Sequence, residues 1–160
     1  MSDIATLRRV LGDARTIAVV GLSADWFRPS HFAAKYMQAH GRRIVPVNPR
    51  YSEILGETCY PDLLSIPEPL RSSIDMVDVF RRSADVLPIA EQTVMIGART
   101  LWLQIGVINE AALRLAEDAG LTVVMDRCVK IEYARLFGGL HWMGVNTGVI
   151  SARRPLHVTR

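Results

Sequence analysis

A short apolar run, Thr16-Ile-Ala-Val-Val20, ends at Gly21 and is followed by residues that can bind an anion. Gly21 permits a ligand or a following helix to approach the backbone closely. Ser23 and Ser30 supply hydroxyl and backbone N–H groups at the start of the next predicted helix, where the helix dipole also favours an anion. Arg28 lies in the same segment, so we expect a diphosphate to bind between Gly21 and Ser30.

Each of these residues also has a structural interpretation. Gly21 is equally suited to a simple turn after a strand, and Arg28 to a solvated loop. Ser30 is a good N-cap for the helix that follows, a role that does not exclude an anion contact.

The pattern differs from an NAD site in two places. No glycine follows Gly21 until Gly41, so the G-x-G-x-x-G fingerprint is absent. The second apolar run, Arg43–Val47, is followed by Asn48-Pro49, where a ribose-binding Asp or Glu would be expected. We therefore expect a nucleotide other than a simple dinucleotide, with Asn-Pro as an ordinary turn start being the alternative.

Polar residues also follow the later apolar runs. Arg81 and Arg82 come directly after Phe80, where a basic pair can meet phosphate. A solvated helix start is the alternative, although its dipole slightly disfavours positive charge. Gln104, Gly106 and Asn109 follow the next run and offer amide donors and acceptors, and Asn109 is also suited to cap the helix after it. These candidates are Phe80, Arg81, Arg82, Gln104, Gly106 and Asn109.

Cys128 follows Asp126-Arg127 and opens the last predicted helix. A helix N-terminus and a neighbouring Arg both favour the thiolate. Asp126 opposes this effect, because a nearby carboxylate raises the pKa of a thiol. The alternative is a partly buried cysteine that packs behind the last helix.

The sequence shows no catalytic set. Cys59 and Cys128 are the only cysteines, which gives neither a disulfide framework nor a CxxC pair for zinc. None of the 4 histidines directly follows a predicted strand, and no Ser-His-Asp set, paired carboxylate motif or metal cluster is evident. A binding protein is therefore favoured over an enzyme, which stays an open alternative.

The candidates are positioned by five apolar runs separated by helix-type patterns. Such runs predict parallel strands covered by helices on both faces. Right-handed crossovers favour a doubly wound, Rossmann-like α/β fold with a five-stranded parallel sheet in the order 3-2-1-4-5. Ligands of such sheets bind beyond the carboxyl ends of the strands, where all the candidates lie. The predicted strands are Thr16–Val20, Arg43–Val47, Asp75–Phe80, Thr100–Leu103 and Leu121–Met125.

The composition suits one domain. The chain has 160 residues, 49% hydrophobic and 22% charged, with a net charge of +3. We expect the domain to span residues 1–140 and a partly flexible surface tail to span 141–160. No apolar run approaches the roughly 18–20 residues that cross a bilayer. The first residues lack a signal-peptide pattern, so we expect a cytoplasmic protein with no membrane contact. The basic residues are dispersed and do not predict nucleic-acid binding.

Taken together, the strand ends resemble the CoA-binding domain family, whose small stand-alone members are related to the nucleotide-binding domain of the succinyl-CoA ligase α subunit. The resemblance spans residues 16–132. Its segments, in chain order, are Val20-Gly-Leu-Ser23, Val47-Asn-Pro49, Asp78-Val-Phe-Arg-Arg82, Leu101-Trp-Leu-Gln-Ile-Gly-Val107 with Asn109, and Val124-Met-Asp-Arg-Cys128 with Ile131-Glu132.

The resemblance implies coenzyme A or a short acyl-CoA as the ligand. It places Val47, Asn48 and Pro49 against the adenosine half of CoA, where a neutral amide avoids the repulsion between a carboxylate and a phosphorylated ribose. Gln104, Gly106 and Asn109 would suit the amides of pantetheine, and Cys128 becomes a candidate for contact with the CoA thiol. We expect CoA binding without evident catalysis, the alternative being a small NAD(P)- or acyl-CoA-dependent enzyme with an unrecognised site.

Overall fold

A five-stranded parallel sheet forms the centre of the molecule. The structure is a computed structural model and describes residues 2–138. The strands of the sheet are β1 (Thr16–Val20), β2 (Arg43–Val47), β5 (Met76–Val79), β6 (Thr100–Leu103) and β7 (Thr122–Val124). The helices are α1 (Ile4–Asp13), α2 (Pro29–Ala39), α3 (Val86–Met95), α4 (Glu110–Asp118) and α5 (Val129–Phe137). The predicted tail, residues 141–160, lies outside the described residues.

The strand order is β2-β1-β5-β6-β7, and all neighbouring strands in this sheet are parallel. The predicted five-stranded doubly wound α/β fold is confirmed. The place of the third predicted strand differs from the expected order, because β5 pairs with β1 instead of lying outside β2. Counted over the five predicted strands, the observed order is 2-1-3-4-5. The chain therefore reverses direction across the sheet between β1 and β5.

Pro46 explains why β2 lies at the edge. Proline has no N–H to donate to a neighbouring strand, so it is confined to edge strands and bulges. The backbone carbonyl of Val47 faces β1 and accepts a hydrogen bond from Gly21 N at 2.8 Å. The backbone of Pro46 faces the outer side of β2, where its carbonyl accepts a hydrogen bond from Tyr60 N at 3.0 Å. A full strand on that side would lack one hydrogen bond of its ladder.

Each face of the sheet is covered by helices. Alternate strand residues point to opposite faces. On one face, Ile17, Met76 and Trp102 pack with buried residues of α1, α2 and α5. On the other, Val77 and Leu101 pack with buried residues of α3 and α4. Trp102 is fully buried, as its place in an apolar run predicts. No helix within residues 2–138 is long and apolar enough to cross a membrane.

The connection from β2 to β5 contains a small hairpin that the sequence pattern does not reveal. Its strands are β3 (Glu53–Ile54) and β4 (Glu57–Thr58), and their pairing is antiparallel. The two loop residues, Leu55 and Gly56, have φ values of 55° and 74°. Hairpin loops of two residues favour such positive φ values. Leucine rarely adopts them, so a leucine at position 55 does not predict a turn.

Candidate functional site

A cavity of about 340 Å³ opens beyond the carboxyl ends of β2, β1 and β5. Four of the residues selected from the sequence line it: Gly21, Val47, Pro49 and Arg81. Apolar walls with a few polar groups suit an aromatic base with a polar edge. The remaining lining residues are Val20, Pro61, Asp62, Leu63, Ala84, Asp85, Pro88, Ile89 and Gln92.

Gly21 lies where the turns after β1 and β5 meet. Its φ is +85°, and a β-carbon at this position would collide with the carbonyl oxygen of Phe80. Phe80 N in turn donates to Val20 O at 2.8 Å. The glycine is therefore required by close packing of two backbone segments, a stronger reason than a turn alone. Phe80 contributes backbone to this junction, while its half-buried ring packs toward the α1, α2 and α5 side.

The loop after β1 is closed by its own serines. Ser30 is buried, and its Oγ accepts from Ser23 N at 3.0 Å. The prediction that Ser30 is the N-cap of α2 is wrong: Arg28 occupies that position, and Pro29 begins the helix. Proline suits the first position, because its fixed φ is helical and its missing N–H would have no partner there. The Arg28 side chain is exposed, with Nε 4.0 Å from a carboxylate oxygen of Asp25.

Asn48 connects the loops after β1 and β2. Its side chain is buried, and Nδ2 donates to the carbonyl of Leu22 at 3.0 Å. Its Oδ1 accepts from Arg50 N at 3.0 Å. An Asp at this position could not donate to Leu22, which gives a structural reason for the amide. Asn48 thus holds Val47 and Pro49 at the cavity wall through contacts within the protein.

The two arginines after β5 have different partners. Arg82 pairs with Asp85, with Nε 2.9 Å from Oδ2. Arg81 is exposed at the cavity, and within residues 2–138 its guanidinium has no hydrogen bond or ion pair. Arg81 is therefore the arginine of this pair that has its donors free for an anion.

Ser83 ties the loop after β5 to the loop after β6. Its Oγ donates to the carbonyl of Gly106 at 3.3 Å and accepts from Ile108 N at 3.0 Å. Gly106 is held from the other side by Asp126, whose Oδ1 accepts from Gly106 N at 2.7 Å. Asp126 has a φ of 60°, a conformation that Asp tolerates better than most residues. The three loops after β5, β6 and β7 therefore form one connected rim.

Asn109 takes the structural role that the sequence left open. Its Oδ1 accepts from Ala112 N at 2.9 Å, which caps α4. Its Nδ2 donates to the carbonyl of Ser83 at 2.9 Å. Both polar groups of the Asn109 side chain thus have partners within the rim.

The side chain of Gln104 is hydrogen-bonded to the carboxyl group of Asp78, which was not among the predicted site residues. Gln104 and Asp78 are both buried, and Nε2 of Gln104 donates to Oδ1 of Asp78 at 2.5 Å. Burial raises the pKa of Asp78 to about 7, and the hydrogen bond from Gln104 offsets only part of this effect. The available signal was a lone Asp inside the apolar run Met76–Val79.

Cys128 is half-buried and directly precedes α5. Burial raises the pKa of its thiol, more than the N–H groups of Ile131 and Lys130 lower it, and the charge of Asp78 raises it further. The N–H groups at the start of α5 do favour the thiolate, as predicted, but burial outweighs them and Arg127 makes no contribution, so the alternative of a partly buried cysteine fits the structure better. Arg127 donates to the buried Glu132, with Nη1 3.1 Å from Oε1, and Glu132 also accepts from Arg135.

No group of three or more His, Cys, Asp and Glu side chains in residues 2–138 is arranged to hold a metal ion. Among the described residues, the cavity with Arg81 and the loop between Gly21 and Ser30 are placed to meet a ligand.

Comparison with known proteins identifies the family. The family model described as the CoA binding domain matches residues 15–134. The uncharacterized protein YneT of Bacillus subtilis is 40% identical over 130 residues, which cover 81% of this chain and 93% of that protein. A hypothetical protein from Pyrococcus horikoshii OT3 has a solved structure that matches with a TM-score of 0.80 and 36% identity, covering 86% of this chain and 94% of the other.

A shorter match connects the chain to a much larger protein. Acetate–CoA ligase [ADP-forming] I of Archaeoglobus fulgidus is 35% identical over 63 residues, which cover 39% of this chain and only 9% of the ligase. The match to the family model covers most of the chain, and the relatives of similar length match almost throughout. The protein belongs to the CoA binding domain family.

Proposed function

We propose that the protein binds coenzyme A or a short acyl-CoA across the carboxyl end of its sheet. The observation that carries the proposal is the cavity between the Gly21 turn and α3, with the free guanidinium of Arg81 at its edge. Family membership supports CoA as the ligand. A CoA-binding role also fits a cytoplasmic location, which is part of the proposal.

The adenosine half of CoA is assigned to the cavity. Val47, Pro49, Leu63 and Ile89 offer apolar contacts to the faces of an adenine ring. The two carboxylates in the wall already have donors: Asp85 pairs with Arg82, and Asp62 accepts from the backbone N and the hydroxyl of Ser65.

The phosphates are assigned to the edge of the cavity near Gly21. Arg81 is the cation there without a partner in residues 2–138, and a guanidinium offers paired donors that match phosphate oxygens. The backbone at Gly21 permits close approach, and the start of α2 adds a favourable dipole. In this arrangement the loop between Gly21 and α2, which is shaped by Ser23, Arg28 and Ser30, contributes to phosphate binding. The exposed side chain of Arg28 can also reach a phosphate from solvent.

The pantetheine arm is assigned to the rim formed by the loops after β5, β6 and β7. Gly106 is exposed on this rim, whereas Gln104 and Asn109 are already hydrogen-bonded within the protein. Their contribution is to fix the rim, and the arm would contact mainly its backbone groups. The arm would then end near Cys128.

A ligand screen tests the proposal directly. Pure protein is heated with CoA, acetyl-CoA, ADP, NAD, NADP or duplex DNA, and calorimetry then measures the affinity of any compound that stabilises it. A ligand at 100 times its Kd adds about 2.7 kcal/mol to the free energy of unfolding. We expect CoA and acetyl-CoA to stabilise the protein and DNA to have no effect. Stabilisation by NAD or NADP alone would favour the enzyme alternative and overturn the assignment.

A further inference from the structure

Two polar side chains in the cavity, those of Asp62 and Gln92, complement the polar edge of an adenine ring; we call them the base-recognition pair. We propose that Asp62 accepts a hydrogen bond from the exocyclic amino group of adenine and that Gln92 donates one to a ring nitrogen beside it. The inference deepens the proposed function and rests on it for placing the adenosine half of the ligand in the cavity. It assigns the residues that select adenine over a base with an oxygen in place of the amino group.

The base-recognition pair lies where helix α3 meets a turn of the chain. Asp85, Ile89 and Gln92 all line the cavity and are spaced four and three residues apart, so they share the face of α3 that forms one wall. Residues 61–63 form the adjoining wall. The backbone N of Leu63, the residue directly after Asp62, donates to Oε1 of Gln92 at 3.3 Å. This hydrogen bond joins the two walls and brings both members of the pair to one corner.

The same hydrogen bond fixes the orientation of the Gln92 amide. A backbone N–H can only donate, so the amide oxygen must be the atom that faces Leu63. The amide nitrogen, Nε2, then lies on the other side of the group, and no residue from 2 to 138 accepts a hydrogen bond from it. Gln92 therefore has a free donor at the cavity.

Asp62 has the opposite polarity. One of its carboxylate oxygens, Oδ1, accepts from the backbone N and the hydroxyl of Ser65, both at 2.8 Å. These two bonds hold the side chain in place. The second oxygen, Oδ2, accepts no hydrogen bond from the described part of the chain. A carboxylate has about four acceptor positions, so Asp62 can still accept from a ligand.

The other charged side chains of the cavity are unsuited to this role. Both carboxylate oxygens of Asp85 accept from Arg82, at 2.9 Å and 3.4 Å. Arg81 carries donors and no acceptor, and it is assigned to phosphate. Among the described side chains that line the cavity, Asp62 and Gln92 thus combine a free acceptor with a free donor.

Adenine presents the matching groups along one edge. Its amino group is a donor, and a ring nitrogen beside that group is an acceptor. Guanine and hypoxanthine carry a carbonyl oxygen in place of the amino group, which would face the Asp62 carboxylate and leave it without a donor. A site built around a hydrogen bond discriminates strongly against an analogue that cannot make it. The bonds to Leu63 and Ser65 also order the pair before the ligand binds, which reduces the entropy cost of recognition.

Calorimetry with matched ligands tests the inference on the natural protein. CoA is compared with deaminated CoA, in which an oxygen replaces the amino group of adenine. We expect deaminated CoA to bind at least about 10-fold more weakly, because one hydrogen bond is lost and an acceptor is left unpaired. ADP and inosine diphosphate form a second pair without pantetheine and should show the same order. Equal affinities within both pairs would overturn the recognition of the base.

Asp62→Asn tests the acceptor. Asparagine keeps an oxygen for Ser65 and places an amide N–H group where the free carboxylate oxygen was. It should weaken CoA binding by about 10-fold and strengthen binding of deaminated CoA, so the preference for the amino base should disappear. Asp85→Asn is the matched control, because it removes another wall carboxylate whose oxygens are bonded to Arg82. It should keep the preference of the natural protein. The same preference in Asp62→Asn would contradict the role of Asp62.

Gln92→Met tests the donor with a side chain of similar length. It should weaken CoA binding by about 10-fold. Gln38→Met is the control, because Gln38 also bonds a backbone group, the carbonyl of Leu55, but does not line the cavity. Melting temperatures of both variants without ligand show that the protein is folded at the titration temperature. An unchanged affinity in folded Gln92→Met would contradict the role of Gln92.

The two proposals fail separately. Binding of CoA and deaminated CoA with equal affinity would overturn the base-recognition pair and leave the proposed function intact. A preference for ADP over inosine diphosphate that is lost in Asp62→Asn, without any binding of CoA, would overturn the proposed function and support the pair. If none of the four compounds binds, both proposals are overturned.

Discussion

The side chain of Arg81 lies over Gly21, with its Cδ 2.9 Å from the position that a β-carbon at residue 21 would occupy. The same β-carbon would collide with the Phe80 carbonyl oxygen. The backbone of Gly21 and the side chain of Arg81, which we propose bind phosphate together, are therefore in contact. A substitution at either residue should affect the position of the other.

Gly21→Ala should strongly destabilise the protein. Alanine at positive φ costs about 1–2 kcal/mol, and the collision with the Phe80 carbonyl adds an overpacking cost of about 1–3 kcal/mol. Gly97→Ala is the control, because Gly97 has a φ of +76° but open space around it. Chemical denaturation should show a clearly larger loss for Gly21→Ala. Equal losses would mean that only the backbone conformation matters.

Arg81→Ala should weaken CoA binding by about 10- to 100-fold, because a charged hydrogen bond contributes on the order of 1.5–3 kcal/mol. Arg82→Ala should leave the affinity nearly unchanged, since Arg82 is engaged by Asp85. Calorimetric titration of both variants separates the two arginines. If Arg81 contacts the 3′-phosphate, dephospho-CoA should already bind weakly and be insensitive to Arg81→Ala. A loss confined to Arg82→Ala would contradict the assignment.

Asp78→Asn should stabilise the protein at pH 8 and have little effect at pH 4. The pKa of Asp78 is raised from 3.8 to about 7 in the folded protein. The folded state therefore binds more protons than the unfolded state between these values, and stability falls as pH rises through this range. The full loss amounts to at most about 4 kcal/mol. Melting temperatures across this pH range should show the variant and the natural protein diverging as pH rises.

The control for this comparison is Asp85→Asn, which removes a partly exposed carboxylate near the same sheet edge. It should reproduce none of the pH-dependent gain. A constant offset between Asp78→Asn and the natural protein at all pH values would contradict a raised pKa at Asp78.

Glu132→Gln should lower the free energy of unfolding by about 3–5 kcal/mol, because it removes the buried negative charge that pairs with both Arg127 and Arg135. Glu68→Gln is the control at an exposed pair with Arg71, where the loss should stay below about 1 kcal/mol. Urea denaturation of both variants measures the difference. Similar small losses would show that α5 is held mainly by its apolar face.

The strands themselves could be predicted closely from the sequence. Thr16–Val20, Arg43–Val47 and Thr100–Leu103 have the predicted bounds, because each is an apolar run between residues that favour turns. The strand order could not be predicted from the periodicity of the sequence, because periodicity does not indicate which strands pair with each other. Pro46 was the local signal, since a proline inside a strand argues for an edge position.

The candidate site could be predicted by region but not by contact. Strand ends in a parallel sheet meet at one edge, so the selected residues do lie at the same end of the molecule. Whether Arg81 or Arg82 is free depends on the position of Asp85, and the roles of Gln104 and Asn109 depend on Asp78 and Ser83. Such side-chain partners come from other elements and leave no local pattern.

Pro46 and its neighbour across the edge also affect how copies of this chain can meet. The outer side of β2 offers no N–H at residue 46, and the backbone groups beside it are already taken by Tyr60. An incoming extended segment would find an interrupted row of donors and acceptors there, which discourages strand addition and aggregation. Self-association through a continuous sheet across β2 is therefore disfavoured, and size-exclusion chromatography of Pro46→Val would reveal whether this protection is lost.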